Sequence, residues 1–160
     1  MFYFVLIIVI FALLLERYLD KKYPKQDTTS NSNYKNIYSK KEYLLTNNEL
    51  KFYKLLKIVT DNNNLNLFSQ VALYEIVNSV NFKDFNKIKS KTIDFVITDV
   101  NGKILICLEL DDPTHLNPKR QERDNFIETL FKELNINLMR IPVQSYYNMK
   151  DIEARIKEKI

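Results

Sequence analysis

The sequence predicts an α/β fold: a mixed central sheet flanked by helices in the order α-β-β-β-α-β-α, preceded by one N-terminal transmembrane helix. Three observations carry this expectation. The opening stretch MFYFVLIIVIFALLL has no charge and no turn former. Two β-rich runs, 93–100 and 103–110, are joined by Asn101 and Gly102, the favoured pair for a tight hairpin turn. Helical periodicity on both sides of that hairpin, then a short apolar run at 138–141 and a last helix, is the alternation that layers helices on a sheet.

The apolar stretch Met1–Leu15 spans roughly 22 Å as a helix, against a hydrocarbon core of ~30 Å. Tyr18 and Leu19 extend it into the interface and Arg17 can snorkel. A cleaved signal peptide is the competing reading, but it lacks a basic segment ahead of the run and a small-residue cleavage site behind it. Arg17, Lys21, Lys22, Lys25 and Lys35 follow the run and no lysine or arginine precedes it, which puts the C-terminal part in the cytoplasm. The expected organisation is therefore a single-pass membrane anchor at 1–19, a flexible basic linker at 20–41 rich in Asn, Ser, Thr and Lys, and one domain at 42–160.

Composition excludes several function classes. Cys107 is the only cysteine, so neither a disulfide framework nor a multi-cysteine zinc site can form within the chain. Gly102 is the only glycine, which rules out a P-loop and a dinucleotide-binding fingerprint, both of which need several. The net charge of +4 is compatible with a polyanionic partner.

Within the domain, Thr46 and Glu49 form a capping-box pattern that opens a helix running to about Thr60. Phe52, Leu55, Leu56 and Val59 make its inward stripe, and Glu49 shares that side. Residues 61–64 end it, 67–73 read as a strand, and 76–90 as an irregular, basic segment. The two-residue turn at Asn101-Gly102 then opposes Val100 to Lys103, Ile97 to Ile106 and Asp94 to Glu109. One face of the hairpin is wholly apolar (Ile93, Phe95, Ile97, Ile106, Leu108, Leu110); the other carries Asp94, Val96, Cys107, Glu109 and Asp111. Asn117 and Pro118 suit the N-cap and first position of a helix to about Leu134. Its core stripe is Ile127, Leu130, Phe131 and Leu134, with Asp124 on the same side. Pro142 stops the strand at 138–141, and 151–159 closes the chain as a weakly amphipathic helix.

The carboxylates carry the chemistry. Opposed across an antiparallel pair, Asp94 and Glu109 would have Cβ atoms about 5 Å apart, and like charges there repel unless one is protonated or a cation lies between them. Asp111 adds oxygen donors on the same face. Hard oxygen ligands suit Mg²⁺ or Mn²⁺ and not zinc. The plain alternative is that acidic residues at strand ends are solvated.

The stretches LLTNNELKFYKLL (44–56), KSKTIDFVITD (89–99), LELDDPTH (108–115), RQERDNFIETLFKEL (120–134) and NLMRIPV (137–143) resemble the prokaryotic domain of unknown function 2726. That family is similar to the PD-(D/E)XK nuclease superfamily and to very-short-patch-repair-like endonucleases, and the resemblance covers roughly 42–148. It implies a restriction-endonuclease-like fold, with Asp94 as the metal-binding aspartate of the second strand, Glu109 as the acidic residue of the third-strand motif and Glu49 as the helix glutamate near the site. One departure stands out: Asp111 occupies the place of the motif's lysine. The patch-repair-like branch also lacks that lysine, and His115 or Lys91 is the candidate for its work, although strand parity turns Lys91 away from the carboxylates unless the strand begins after it.

The activity so implied is phosphodiester hydrolysis, with Asp94, Glu109 and Asp111 holding the metal and His115 acting on the attacking water. Gln121 and Asp124 fall behind the site; Asp124 equally fits a simple negative charge at a helix start. Lys87, Lys89, Lys119, Arg120 and Arg123 are candidates for phosphate contacts, or else a solvated basic surface. Arg140 is expected to pair with a buried carboxylate whose identity the sequence leaves open. The alternatives to an enzyme are a catalytically degenerate nucleic-acid- or protein-binding module of the same fold, and a structural membrane adaptor.

Overall fold

Thr46 starts the first helix of the folded unit as its capping box requires. Its Oγ1 accepts a hydrogen bond from Glu49 N at 3.3 Å, and Glu49 Oε2 accepts one from Thr46 N at 2.6 Å. The computed structural model describes residues 13–19, 21–22, 34, 37–111 and 118–160, with only the backbone described for 118–121. The helix, α1 (Asn47–Asn62), buries Phe52, Leu56, Val59 and Thr60, with Leu55 half-buried. Asn64 ends it in the left-handed region at φ 55°, a conformation asparagine tolerates.

The chain divides into two compact units, Met1–Glu42 and Tyr43–Ile160. In the first, residues 13–19 and 21–22 are helical. No helix among the described residues is long and apolar enough to cross a membrane. Of the anchor expected at 1–19, residues 1–12 lie outside the described residues, as do 20, 23–33 and 35–36 of the expected linker.

The second unit is a mixed α/β fold. After α1 come β1 (Asn66–Ala72), a short 3-10 turn (Leu73–Glu75), α2 (Phe82–Ile88), β2 (Thr92–Thr98) and β3 (Ile104–Asp111). They are followed by α3 (Pro118–Glu133), β4 (Leu138–Pro142) and α4 (Met149–Lys159). The sheet order is β1-β2-β3-β4, antiparallel at the first two junctions and parallel between β3 and β4, which α3 connects.

The structure corrects two expectations. The segment expected to be irregular contains α2, capped by the Asn81 side chain accepting from Asp84 N; a seven-residue helix that buries only Ile88 is too short to show a periodic stripe. The hairpin turn is also longer than two residues. Asp99 and Lys103 pair through Asp99 N donating to Lys103 O, and Asp99 O accepts from Gly102 N, which leaves Gly102 in the left-handed region at φ 85°. Asp99 Oδ1 holds the loop by accepting from Asn101 N and Lys103 N. Thr98 then pairs with Ile104, and the register shifts so that Ile97 pairs with Ile106. Leu105 is the extra residue of a bulge, and it restores the expected pairing of Ile97 with Ile106, Val96 with Cys107 and Phe95 with Leu108.

The sheet separates two apolar cores. On one face α1 and α4 pack over Phe95, Ile97, Ile106, Leu108, Leu110, Met139 and Ile141 through Phe52, Leu56, Val59, Ile152 and Ile156. On the other, α3 brings Ile127 and Phe131 onto Val96 and Cys107, and the segment around α2 adds Leu73, Val77 and Ile88. Ile93 belongs to this second core and not to the first, as its strand parity had suggested. Leu134 lies beyond the end of α3 and is exposed, while Leu130 is half-buried, so the inward stripe of α3 is shorter than expected.

Candidate functional site

The register places a row of polar residues across all four strands. Glu109 on β3 pairs with Arg140 on β4. Extending the β2–β3 register one step past Phe95 and Leu108 sets Asp94 beside Glu109. On β1, Ser69 pairs with Phe95 and Val71 with Ile93, so Gln70 falls opposite Asp94. Asp94, Glu109 and Arg140 share the strand parity of Val96 and Cys107, on the face that α3 covers, whereas the Gln70 side chain turns to Glu49 of α1.

Each position is fixed by its own local chemistry. Where the described backbone pairing of β2 with β3 stops, Asp94 Oδ2 accepts from Leu110 N at 2.8 Å, so its carboxylate takes over from the ladder. Gln70 adopts φ 54°, a left-handed conformation that costs a non-glycine residue free energy and recurs at functional sites. Its Nε2 donates to Glu49 Oε1 at 2.9 Å, so Glu49 joins the capping box of α1 to the strand opposite Asp94.

Glu109 is the centre of the row. Its residue is 3 % exposed, and its Oε1 has no hydrogen-bond partner among the described residues. Its Oε2 lies 3.9 Å from Arg123 Nη2. Burial pushes its carboxyl up to about 8, with the nearby Asp94 charge adding to that, while Arg123 and Arg140 pull the other way and Asp124 pushes up again. Beside it Cys107 is driven up to about 12, by burial first and the Glu109 charge second.

Arg140 gathers the remaining acids. Its Nη1 donates to Asp111 Oδ1 at 2.7 Å, its Nε lies 2.8 Å from Glu128 Oε1, and its Nη2 lies 3.7 Å from Asp124 Oδ1. Nε and Nη2 are buried without an aligned hydrogen bond among the described residues. Burial disfavours the charged guanidinium, but the carboxylates of Asp111, Asp124 and Glu109 outweigh it and the net shift is upward. Arg123 reaches from α3 with Nε and Nη2 at 3.1 and 3.0 Å from Asp124 Oδ1.

The residues expected at the site therefore divide. Asp94, Glu109, Asp124 and Arg123 come together on the α3 face, while Glu49 is bonded to Thr46 and to Gln70 on β1. Asp111 is brought to Arg140 rather than to the Asp94–Glu109 pair. Lys91 precedes the first residue of β2, so strand parity does not constrain it; its ammonium lies 5.3 Å from the Phe126 ring on α3 and donates to Lys87 O. Lys89, the C-cap of α2, is exposed. His115 and the side chains of Lys119, Arg120 and Gln121 lie outside the described residues. Among the described residues no group of three or more His, Cys, Asp or Glu side chains is placed to hold a metal ion. Neither Gln70 nor Glu128 is marked in the sequence, since a lone glutamine in a strand and an acid in an amphipathic helix carry no motif.

Comparison with known proteins agrees on a family without an assigned activity. The family described as "Protein of unknown function (DUF2726)" matches residues 41–160. An uncharacterized protein of Haemophilus influenzae is 31 % identical over 91 residues, covering 56 % of this chain and 45 % of the relative, so the chain spans less than half of that relative's length. No solved structure matches.

Proposed function

Because this chain belongs to the family described as protein of unknown function (DUF2726), we propose its activity from the site itself: a metal-dependent, nuclease-like phosphodiester hydrolase of the PD-(D/E)XK type. The observation that carries this reading is Glu109, a buried carboxylate whose Oε1 has no hydrogen-bond partner among the described residues, set in register beside Asp94. Two adjacent carboxylates in a desolvated setting favour either a shared proton or a cation. Asp94 and Glu109 are hard oxygen donors that fit Mg²⁺ or Mn²⁺. Asp111 does not fit as a third ligand while it pairs with Arg140; water and phosphate oxygens commonly fill the other positions around Mg²⁺.

A bound ion would polarise a phosphoryl oxygen and lower the pKa of a water. The chain's own residues do the rest. Arg123 is a partly exposed cation at the carboxylates and is proposed to meet a phosphate. Arg140 holds Asp111, Asp124 and Glu128 in place around the site. His115, Lys119 and Arg120 are proposed for the water and the phosphates on the sequence alone, whereas the Lys91 ammonium is engaged by Lys87 O and the Phe126 ring; the apolar run at 2–15 supports tethering to a membrane with this domain in the cytoplasm.

Calorimetric titration of Mn²⁺ and Mg²⁺ into the full chain and its Glu109→Gln variant tests this directly. Saturable binding to the parent that the substitution abolishes, with cleavage of DNA or RNA that requires the same ion, is the expected result. Metal-independent cleavage, or no cleavage of varied DNA and RNA substrates, would count against it.

The Asp111–Arg140 ion pair favours a second reading, a catalytically degenerate module that binds nucleic acid or protein. Where the superfamily's motif places a lysine, this chain has an acid already neutralised by an arginine. That module would bind nucleic acid in a salt-sensitive way and be indifferent to Glu109→Ala.

A further inference from the structure

The segment joining β1 to β2 exposes aromatic rings among lysines. Phe82 is 75 % exposed, Tyr74 41 %, and Val80 is fully exposed. Val80 and Phe85 occupy the positions flanking the Asn81 cap that usually clasp one another at a helix start, yet with Val80 fully exposed that clasp is not made. The rings run in file: Tyr74 and Phe85 have centroids 6.0 Å apart, and Phe85 and Phe82 lie 6.5 Å apart at an interplanar angle of 28°. Lys83, Lys87 and Lys89 are exposed beside them; Asp84, the only acid in the sequence between 80 and 91, pairs with Lys87 at 2.8 Å, which leaves a net positive charge on the segment.

This segment is continuous with the carboxylate face. Leu73, Val77 and Ile88 share a core with Ile127 and Phe131 of α3. Lys91 spans from the end of α2 to the Phe126 ring and stands three residues before Asp94.

We infer that Tyr74 and Phe82, with Lys83, Lys87 and Lys89, form a binding platform for single-stranded nucleic acid. Base faces are open to stacking only where a strand is unpaired, whereas a duplex presents phosphates and leaves exposed rings without a partner. Rings interleaved with cations thus select the unpaired strand, bases lying on the rings and phosphates meeting the ammonium groups. The inference rests on the proposed nuclease-like activity and gives it a substrate class. An anionic membrane surface would also attract the lysines; the file of rings and the continuity with the carboxylate face favour the polymer.

The test is fluorescence anisotropy of the full chain with a labelled single-stranded oligonucleotide and its duplex, both in chelator, beside flotation with anionic phosphatidylserine vesicles. The single strand is expected to bind more tightly than the duplex. Phe82→Ser and Tyr74→Ser should each weaken single-strand binding by about tenfold, the scale of one lost base stack, while Phe82→Trp keeps it. Equal affinity for the duplex, indifference to Phe82→Ser, or a Phe82-dependent association with vesicles alone overturns the proposal. Binding in chelator requires neither metal nor cleavage, so the hydrolase reading fails or stands separately, on Glu109→Gln with Mn²⁺.

Discussion

Arg140 lies directly opposite Glu109 in the parallel pair of β3 and β4, yet its closest bond is to Asp111, two residues further along β3, at 2.7 Å. One guanidinium thus serves two successive acids of the same strand, the first by proximity in a buried setting and the second by contact. Two acids of α3, Asp124 and Glu128, complete its surroundings.

Arg140→Met should therefore destabilise the domain, because it leaves several carboxylates facing one another without their cation. The expected loss is about 3 kcal/mol, the lower end for breaking a buried pair, since Asp111 and Glu128 retain access to water. Arg140→Lys is expected to restore little, as a single ammonium cannot span three acids as the planar fork does. Urea unfolding of the two variants and the parent measures both effects.

The pH dependence of stability should carry the signature of Glu109. Its folded value, pushed up to about 8, lies above the ordinary carboxyl range. The native state thus holds a proton that the unfolded chain has already released between roughly pH 4.3 and that folded value. The contribution is full below this window and is lost as pH rises through it, by at most roughly 1.4 kcal/mol per unit. Glu109→Gln keeps the shape without the charge and should flatten the decline, so that it exceeds the parent in stability at the alkaline end. A parent whose urea midpoint is unchanged across the window in chelator would contradict the assignment.

Cys107 should be silent to thiol reagents in the folded protein. It is fully buried between β2 and β4, and its thiol is driven up to about 12, so almost no thiolate exists near neutral pH. Maleimide labelling is expected to track global unfolding, and labelling at the rate of an exposed thiol under native conditions would refute the packing described for this face.

Phe52→Ala should be among the costlier substitutions in the opposite core. Phe52 is fully buried, with its ring 5.7 Å from that of Phe95 and 4.9 Å from that of Tyr147. A loss of about 3–5 kcal/mol is expected from thermal or urea unfolding. Phe68→Ala, on a half-exposed ring of the edge strand β1, should cost much less.

How far the sequence reached depends on how local each signal is. The capping box of α1, the Pro118 start of α3 and the alternation of β2 and β3 are written in adjacent residues, and each element lies within a residue or two of its expected place. The proximity of Asp94 and Glu109 was legible for the same reason, since a hairpin is a local object. Asp111 shared their face, but its fate depends on Arg140, twenty-nine residues away across a parallel pair that no turn announces. Gln70 was illegible because its left-handed backbone and its bond to Glu49 appear only once β1 has docked beside β2. The short α2 was missed because seven residues do not complete a second repeat of a helical pattern.

The β2–β3 hairpin has an evolutionary consequence. Its loop, one residue longer than the tightest turn, moves the strands out of phase, and Leu105 moves them back. The two irregularities are a frameshift and its suppressor. Deleting Leu105 alone would rotate everything beyond it by half a pleat, carrying Glu109 into the core of Phe52 and Phe95 and bringing Leu108 out beneath α3. Shortening the turn alone does the reverse damage from the other end. Lineages that have lost one irregularity should have lost the other as well, so length changes in this hairpin are expected to come in matched pairs.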